Sequence, residues 1–116
     1  MKKCDISCRG AILASPVSIA DSFFPRFRGL MMKKKLAPGE GLLLADCSAI
    51  HCCFMRFPID VLYLDAQLTV VGMECVKPWR LGHLYPGTKH VLEMAAGSTA
   101  GIRPGDRLER KDECEQ

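Results

Sequence analysis

The fold of this chain is decided by residues 60–76, which read DVLYLDAQLTVVGMECV. Two apolar runs, 60–64 and 68–76, lie on either side of the polar segment Asp65-Ala66-Gln67. Apolar runs of this length that end in turn residues are typical of buried β-strands. A polar connection of about three residues is typical of a β-hairpin. Residues 60–76 therefore predict two antiparallel strands.

Further short apolar runs continue on both sides of this hairpin, with turn residues between them. The tight turn Arg103-Pro104-Gly105-Asp106 leads into the last run. Spacing of this kind predicts a mostly β fold, a compact antiparallel β-barrel or β-sandwich. The other predicted strands are 11–14, 17–20, 41–45, 49–55, 91–95 and 106–110.

One short helix interrupts this pattern. Asp21 is a suitable N-cap, and Pro25 falls in the first turn, where a helix tolerates proline. Apolar residues then recur at spacings of three and four, which places them on one helical face. They are Phe23, Phe24, Phe27, Leu30 and Met31. We expect this helix to end near residues 33–36, before the turn at Pro38-Gly39.

Length and composition predict a single globular domain. The chain has 116 residues, of which 48% are hydrophobic and 25% are charged. These values are typical of one domain that buries a core without disulfides or metals. The ends at residues 1–9 and 111–116 are polar, so we expect them to be loosely attached to a core of about residues 10–110.

Charge and cysteine content restrict the partners and the compartment. No window holds the 18 to 20 apolar residues that a membrane-spanning helix needs, and Asp5 and Arg9 interrupt any N-terminal export signal. The net charge is +3, and no basic stripe is interleaved with aromatics, so we expect no nucleic-acid binding. Seven cysteines, an odd number, fit a reducing compartment. We expect a cytoplasmic protein that binds no membrane.

The predicted strand 49–55 and the residues before it raise the question of a metal site. Cys47, His51, Cys53 and Met55 fall on one side of an extended chain and would suit copper(I) or zinc. Residues two apart on one strand are about 7 Å apart, too far to surround an ion unaided. Cysteine and methionine also serve as buried hydrophobes. We therefore expect no metal and no cofactor.

His51 and Asp60 could form an imidazole–carboxylate pair for acid–base chemistry. This requires the turn at Phe57-Pro58 to bring their two strands together. The alternative is that Asp60 stabilises the turn after Pro58 while His51 is buried beneath it. The spacing permits both interpretations.

Two further stretches carry candidate binding residues. Arg28 precedes Gly29, whose missing side chain permits a close approach, so Arg28 could form an ion pair with Glu93 or Asp106 or could bind an anion. The single tryptophan lies between two cations in Lys77-Pro78-Trp79-Arg80. Trp79 could stack on a ligand or partner, or it could cover one end of the barrel.

Several short blocks, in their order and spacing, resemble the bacterial family called domain of unknown function 192. The resemblance runs from about residue 17 to residue 110. The blocks are Arg28-Gly29-Leu30-Met31, Gly41-Leu42-Leu43-Leu44, Ile50-His51, Met55-Arg56-Phe57-Pro58-Ile59-Asp60, Leu64-Asp65, Lys77-Pro78-Trp79-Arg80, Val91-Leu92-Glu93, Gly97 and Gly105-Asp106.

This resemblance implies a compact β-barrel-like domain and assigns no functional residue. The chain departs from the family pattern at Cys52 and Cys53, where Thr or Phe is usual, and this departure weakens a family-wide metal site. Some members of the family carry an export signal or a lipoprotein leader, whereas we expect none here.

The leading hypothesis is a small non-enzymatic ligand-binding or accessory domain that recognises a small molecule or a protein. Its binding surface would lie at one end of the barrel and consist of Arg28, His51, Asp60, Trp79 and Arg80. The second hypothesis is an enzyme in which His51 and Asp60 act on an anionic substrate held by an arginine. The third is a protein-interaction module with an exposed apolar patch near Trp79 and residues 81–85.

Overall fold

The computed structural model describes residues 2–20, 39–46, 58–77 and 85–112, and these form one seven-stranded sheet. The strand order across the sheet is β5-β4-β6-β3-β2-β1-β7. The strands are β1 (Lys2–Cys8), β2 (Ala11–Ala20), β3 (Gly41–Leu44), β4 (Ile59–Leu64), β5 (Val70–Val76), β6 (His90–Ala95) and β7 (Leu108–Asp112).

The hairpin expected at residues 60–76 is confirmed. Strands β4 and β5 pair antiparallel, with Leu62 opposite Met73. The connection is held by Asp65, whose Oδ1 accepts hydrogen bonds from the backbone amides of Gln67 and Thr69, both at 2.9 Å. Leu68 has a positive φ of 66°, so β5 begins after it, two residues later than the apolar run suggests.

The expectation of a loose N-terminal end is wrong for residues 2–8. These residues form β1, which pairs antiparallel with β2 on one side and with β7 on the other. Cys4 and Ile6 are completely buried, and Cys8 is 6% exposed. Apolar and polar residues alternate here, as in a strand that is buried on one face. The charged residues of the exposed face led to the prediction of a solvated tail.

The two runs at residues 11–14 and 17–20 are joined into the single strand β2. Strand β2 pairs antiparallel with β1 but parallel with β3, with Ile19 opposite Leu43. A parallel pair needs a long crossover connection, and residues 21–40 are long enough to supply it. This pair is the exception to the antiparallel prediction among the described strands. The predicted helix after Asp21 and the predicted strand 49–55 lie outside the described residues.

The sheet curls so that its two edge strands meet at one end. Thr69 bridges to Arg107, and Val70 exchanges backbone hydrogen bonds with Gly105 and Asp106 at 2.7 and 2.8 Å. The tight turn predicted at residues 103–106 is confirmed, because the Asp106 amide donates to the Arg103 carbonyl at 3.0 Å and Gly105 has a φ of 96°. The result is a half-barrel, as the spacing of the apolar runs predicts.

Two clusters of buried side chains lie on opposite faces of this sheet. We call the face shared by all seven strands the inner face, and its largest buried members are Ile6, Val17, Leu43, Leu62, Leu64, Leu92, Met94 and Leu108. We call the opposite face of β3 to β6 the outer face, and its buried members are Leu42, Leu44, Ile59, Val61, Tyr63, Val76 and Val91. Strand β4 is therefore buried on both faces.

In the part of the chain that the structure describes, no helix is long and apolar enough to cross a membrane.

Candidate functional site

The outer face carries two carboxyl groups in a single row across the sheet. Val61 on β4 lies opposite Glu74 on β5 and opposite Glu93 on β6. Residues directly opposite each other in antiparallel strands project to the same face, so both carboxyl groups share the outer face with Val61. Their Cα atoms are two strand spacings apart, which is about 10 Å.

Glu93 is the most unusual polar residue of this row. Its side chain is 4% exposed, and its Oε2 makes no hydrogen bond within the described part of the chain. Its neighbours across the sheet are Leu42 on β3 and Val61 on β4. Burial among apolar groups raises the pKa of Glu93 to about 8, because the charged form loses its hydration. At neutral pH the carboxyl group therefore holds its proton.

Two tyrosines border the other end of the row. The Tyr63 hydroxyl donates a hydrogen bond to Glu74 Oε2 at 2.7 Å. The rings of Tyr63 and Tyr85 pack with their centroids 4.5 Å apart and their planes tilted by 34°. Tyr85 lies directly over Gly72, where a Cβ atom would overlap the tyrosine ring. Burial and the charge of Glu74 raise the pKa of Tyr85, so its hydroxyl stays protonated and can donate a hydrogen bond.

Asp60 lies on the inner side of β4, away from Glu93. It is 7% exposed and sits between Cys75 on β5 and Met94 on β6. Its Oδ2 accepts hydrogen bonds from the Gly97 amide at 2.9 Å, the Thr99 amide at 3.2 Å and the Thr99 hydroxyl at 2.8 Å. Asp60 therefore stabilises the turn that follows β6, whereas the sequence predicts the turn after Pro58 as its alternative role.

Cys75 lies beside this carboxylate. Its thiol pKa is raised, chiefly by burial and further by the negative charge of Asp60 and a hydrogen bond to it. A raised pKa keeps the sulfur as a thiol at neutral pH, and thiols are much weaker nucleophiles than thiolates. The positive charge of Lys77 acts in the opposite direction but does not cancel these effects, so Cys75 does not resemble an activated cysteine.

Among the five residues expected to form a binding surface, the structure describes Asp60. Arg28, His51, Trp79 and Arg80 lie outside the described residues, as does the cysteine-rich stretch 47–55. Proximity among the five therefore stays a prediction. Of the two carboxylates expected as partners of Arg28, Asp106 forms an ion pair with Arg9 at 2.9 Å, and Glu93 is buried on the outer face.

The sequence indicates Glu93 only as an ion-pair partner of Arg28, and its isolation among apolar groups was not predicted. The signal that could have revealed it is the run Val91-Leu92-Glu93-Met94, in which one acidic residue stands among large apolar ones. In a central strand that is buried on both faces, such a position has no solvated side. A lone glutamate there is a candidate for function.

The described residues contain no group of three His, Cys, Asp or Glu side chains that could hold a metal ion. Cys4, Cys8 and Cys75 form no disulfide. The described part of the outer face offers carboxyl and phenol groups beside apolar side chains.

A family model named DUF192, described as an uncharacterised ACR, matches residues 6–110 of this chain. A UPF0127 protein of Thermococcus sibiricus is 36% identical over 96 residues, which cover 77% of this chain and 60% of that protein. A UPF0127 protein of Pyrococcus horikoshii is 36% identical over 100 residues, which cover 79% of this chain and 84% of that protein. Both relatives are archaeal, so the expected bacterial character of the family is not confirmed.

Two solved structures resemble this one. A protein of Sinorhizobium meliloti described as a candidate transcription regulator has a TM-score of 0.76 and 24% identity, with 94% of this chain and 92% of that chain covered. A Novosphingobium aromaticivorans protein of unknown function has a TM-score of 0.77 and 22% identity, with 92% and 83% covered. At these identities the two likenesses show the fold alone.

Proposed function

Because this chain belongs to the uncharacterised DUF192 family, its function has to be inferred from its own side chains, and we propose that it is a small ligand-binding domain. In this proposal, the Glu93 carboxyl group is the polar anchor for a small organic molecule bound at the outer face. The observation that carries it is the burial of Glu93 with Oε2 unpartnered among the described residues.

The free-energy cost of burying Glu93 Oε2 without a hydrogen bond supports the proposal that a ligand completes this site. Leaving a buried polar atom without a hydrogen bond costs about 1–3 kcal/mol, so folded proteins rarely retain one without a use. A ligand that supplies a hydrogen-bond donor to Oε2 would remove this cost. The apolar side chains of Leu42, Val61 and Val91 surround the anchor. One oriented polar group within an apolar wall is the usual composition of a small-molecule site.

The contacts of Asp60 favour a structural role for this residue over acid–base catalysis. Three donors from the turn after β6 converge on Oδ2, which is an arrangement that stabilises structure. A catalytic pair of His51 and Asp60 stays a prediction, and so does the anion-binding role of Arg28 or Arg80. The interaction-module alternative depends on Trp79 and residues 81–84, which lie outside the described part of the chain.

A reducing, cytoplasmic setting is also part of this proposal. Cys4 and Cys8 belong to the same buried cluster on the inner face of β1, yet they form no disulfide. Oxidising compartments favour disulfides, so core cysteines that form no disulfide are more typical of the cytoplasm.

The test is thermal unfolding of the reduced protein with a broad panel of small metabolites at millimolar concentration. A ligand at a hundredfold its Kd stabilises the folded state by about 2.7 kcal/mol, which raises Tm by several degrees. We expect a stabilising compound whose effect is lost in Glu93→Gln. The matched control is Glu109→Gln, because Glu109 is an exposed glutamate of β7, a strand that contributes no residue to the outer-face cluster. An equal shift in Glu93→Gln and the wild type would overturn Glu93 as the anchor.

A further inference from the structure

We propose that the ligand bound at Glu93 is a small organic cation, an amine with an apolar body. This inference rests on the proposed function and adds the chemical class of the ligand. It follows from the charges, the aromatic rings and the burial on the outer face.

The charges on the outer face favour a cation. Glu74 and Glu93 flank Val61 in one row, and strands β3 to β6 themselves contain no Lys or Arg. Lys89, just before β6, forms an ion pair with Asp46 at 3.2 Å. A cation hydrogen-bonded to Glu93 would therefore also lie within about 10 Å of the second carboxyl group, in surroundings of low dielectric constant. An anionic ligand would meet two acidic groups and no compensating charge from the described strands.

The aromatic rings point to an organic cation in preference to a metal ion. Tyr63 lies two residues after Val61 on the same face of β4, and its ring packs against that of Tyr85. Tyrosine rings attract ammonium groups within about 6 Å, and they offer apolar surface to the carbon skeleton of the ligand. An oxygen cage for Ca²⁺ or Mg²⁺ needs six or more oxygen ligands. The described side chains of the outer face are mostly apolar and offer too few oxygen atoms for such a cage.

Binding of an ammonium group requires Glu93 to ionise. The free site holds a proton, since burial raises the pKa of Glu93 to about 8. The balanced step is that the neutral carboxyl group loses one proton to solvent while the ammonium ion docks against the resulting carboxylate. Among the described residues, the titratable side chains that share the outer face with Glu93 are Glu74 on β5 and Tyr63 on β4, with Tyr85 packed on Tyr63. Strand β3 contributes Leu42 and Leu44 to this face.

This linkage predicts a distinctive pH dependence. Between about pH 6 and pH 8, the affinity for an amine should rise about tenfold per pH unit, because each bound amine displaces one proton. Above about pH 8 the affinity should level off. A neutral ligand of the same shape would show no such rise.

The experiment compares matched probes that differ only in the polar group: cyclohexylamine, cyclohexanol and cyclohexanecarboxylate, and the benzyl series of the same three groups. Tm is measured for each probe at pH 6, 7 and 8. Titration calorimetry in two buffers of different ionisation enthalpy then counts the protons released. We expect stabilisation by the amines alone, release of about one proton per amine at pH 7, and loss of both effects in Glu93→Gln.

Separate outcomes distinguish this inference from the proposed function. If the alcohols stabilise the wild type and this effect is lost in Glu93→Gln, the inference that the ligand is a cation would be overturned. Glu93 would still be the anchor of the site. An equal shift by amines in Glu93→Gln and the wild type would overturn both proposals. Proton release is measured on the wild type and needs no variant to fold. Glu74→Gln serves as a second variant, and we expect it to weaken amine binding less than Glu93→Gln does.

Discussion

The hydroxyl group of Thr99 donates a hydrogen bond to Asp60 Oδ2 at 2.8 Å, across 39 positions of the chain. The same oxygen accepts the amides of Thr99 and Gly97, so one carboxylate satisfies three donors of the turn after β6. Hydrogen bonds to a charged acceptor are stronger than neutral ones, which makes this contact a firm link between β4 and that turn.

Asp60→Ala should therefore lower the free energy of unfolding by about 3 kcal/mol, because buried donors would lose their acceptor. Asp60→Asn should cost less, since its amide oxygen can still accept. Thr99→Val removes one donor and should cost about 1 kcal/mol. Urea denaturation measures these changes, with the exposed Glu109→Ala as the control that stays within about 0.5 kcal/mol of the wild type. Unchanged stability in Asp60→Ala would contradict the structural role.

Glu93 should make the protein less stable as pH rises. Its pKa of about 8 in the folded state lies above the ordinary value of 4.5, so the folded state holds more protons in this window. Stability then falls from about pH 4.5 to pH 8, by up to about 1.4 kcal/mol per unit, and levels off above. Urea midpoints between pH 5 and pH 9 should show this fall in the wild type. Glu93→Gln, a neutral isostere, should show a flatter profile; parallel profiles would argue against a buried proton.

His90 should have the opposite dependence on pH. Its Nδ1 accepts a hydrogen bond from the Asp46 amide at 3.1 Å, and desolvation lowers its pKa despite the opposing charge of Asp46. A histidine whose folded pKa lies below the ordinary 6.5 contributes stability above that value and loses it as pH falls through the folded pKa. An NMR titration of the ring, assigned by its absence in His90→Gln, checks this. A midpoint above 6.5 would show that the hydrogen bond does not persist in solution.

Gly72→Ala should disturb the tyrosine pair. A Cβ atom at Gly72 would overlap the ring of Tyr85, so either the ring or the strand has to move. Overpacking of this kind costs about 1–3 kcal/mol. In a Tyr85→Ala background the overlap disappears, and the same substitution should cost much less. The double-mutant cycle therefore predicts strong coupling between the two positions, and additive effects would place the Tyr85 ring elsewhere.

Arg28 offers a test of whether Glu93 already has an internal ion-pair partner. The sequence suggested an ion pair between them, whereas Glu93 Oε2 makes no hydrogen bond in the described part of the chain. We expect the effects of Arg28→Gln and Glu93→Gln on unfolding free energy to add within about 0.5 kcal/mol. Coupling of several kcal/mol would instead identify Arg28 as the partner and remove the need for a ligand there.

Local sequence patterns were enough to determine the hairpin, the tight turn, the fold class and the family of this protein. The hairpin at residues 60–76 and the turn at 103–106 follow from alternation and from turn residues, which act over a few positions of the chain. The mostly β class and the family follow from the order of such short segments. Each of these features depends on neighbours in sequence, so the sequence alone determined them.

Tertiary structure decided the features that depend on contacts between distant residues. Strand β1 looked like a polar tail until pairing with β2 and β7 buried its apolar side. The sequence predicts that Asp60 stabilises a turn, but the turn that it contacts contains Thr99, 39 residues away. Glu93 is a common surface residue by type, and only its place between β3 and β4, in the middle of the sheet, removes its water and raises its pKa. Burial belongs to the assembled sheet, because it depends on which strands pack on both sides of a residue.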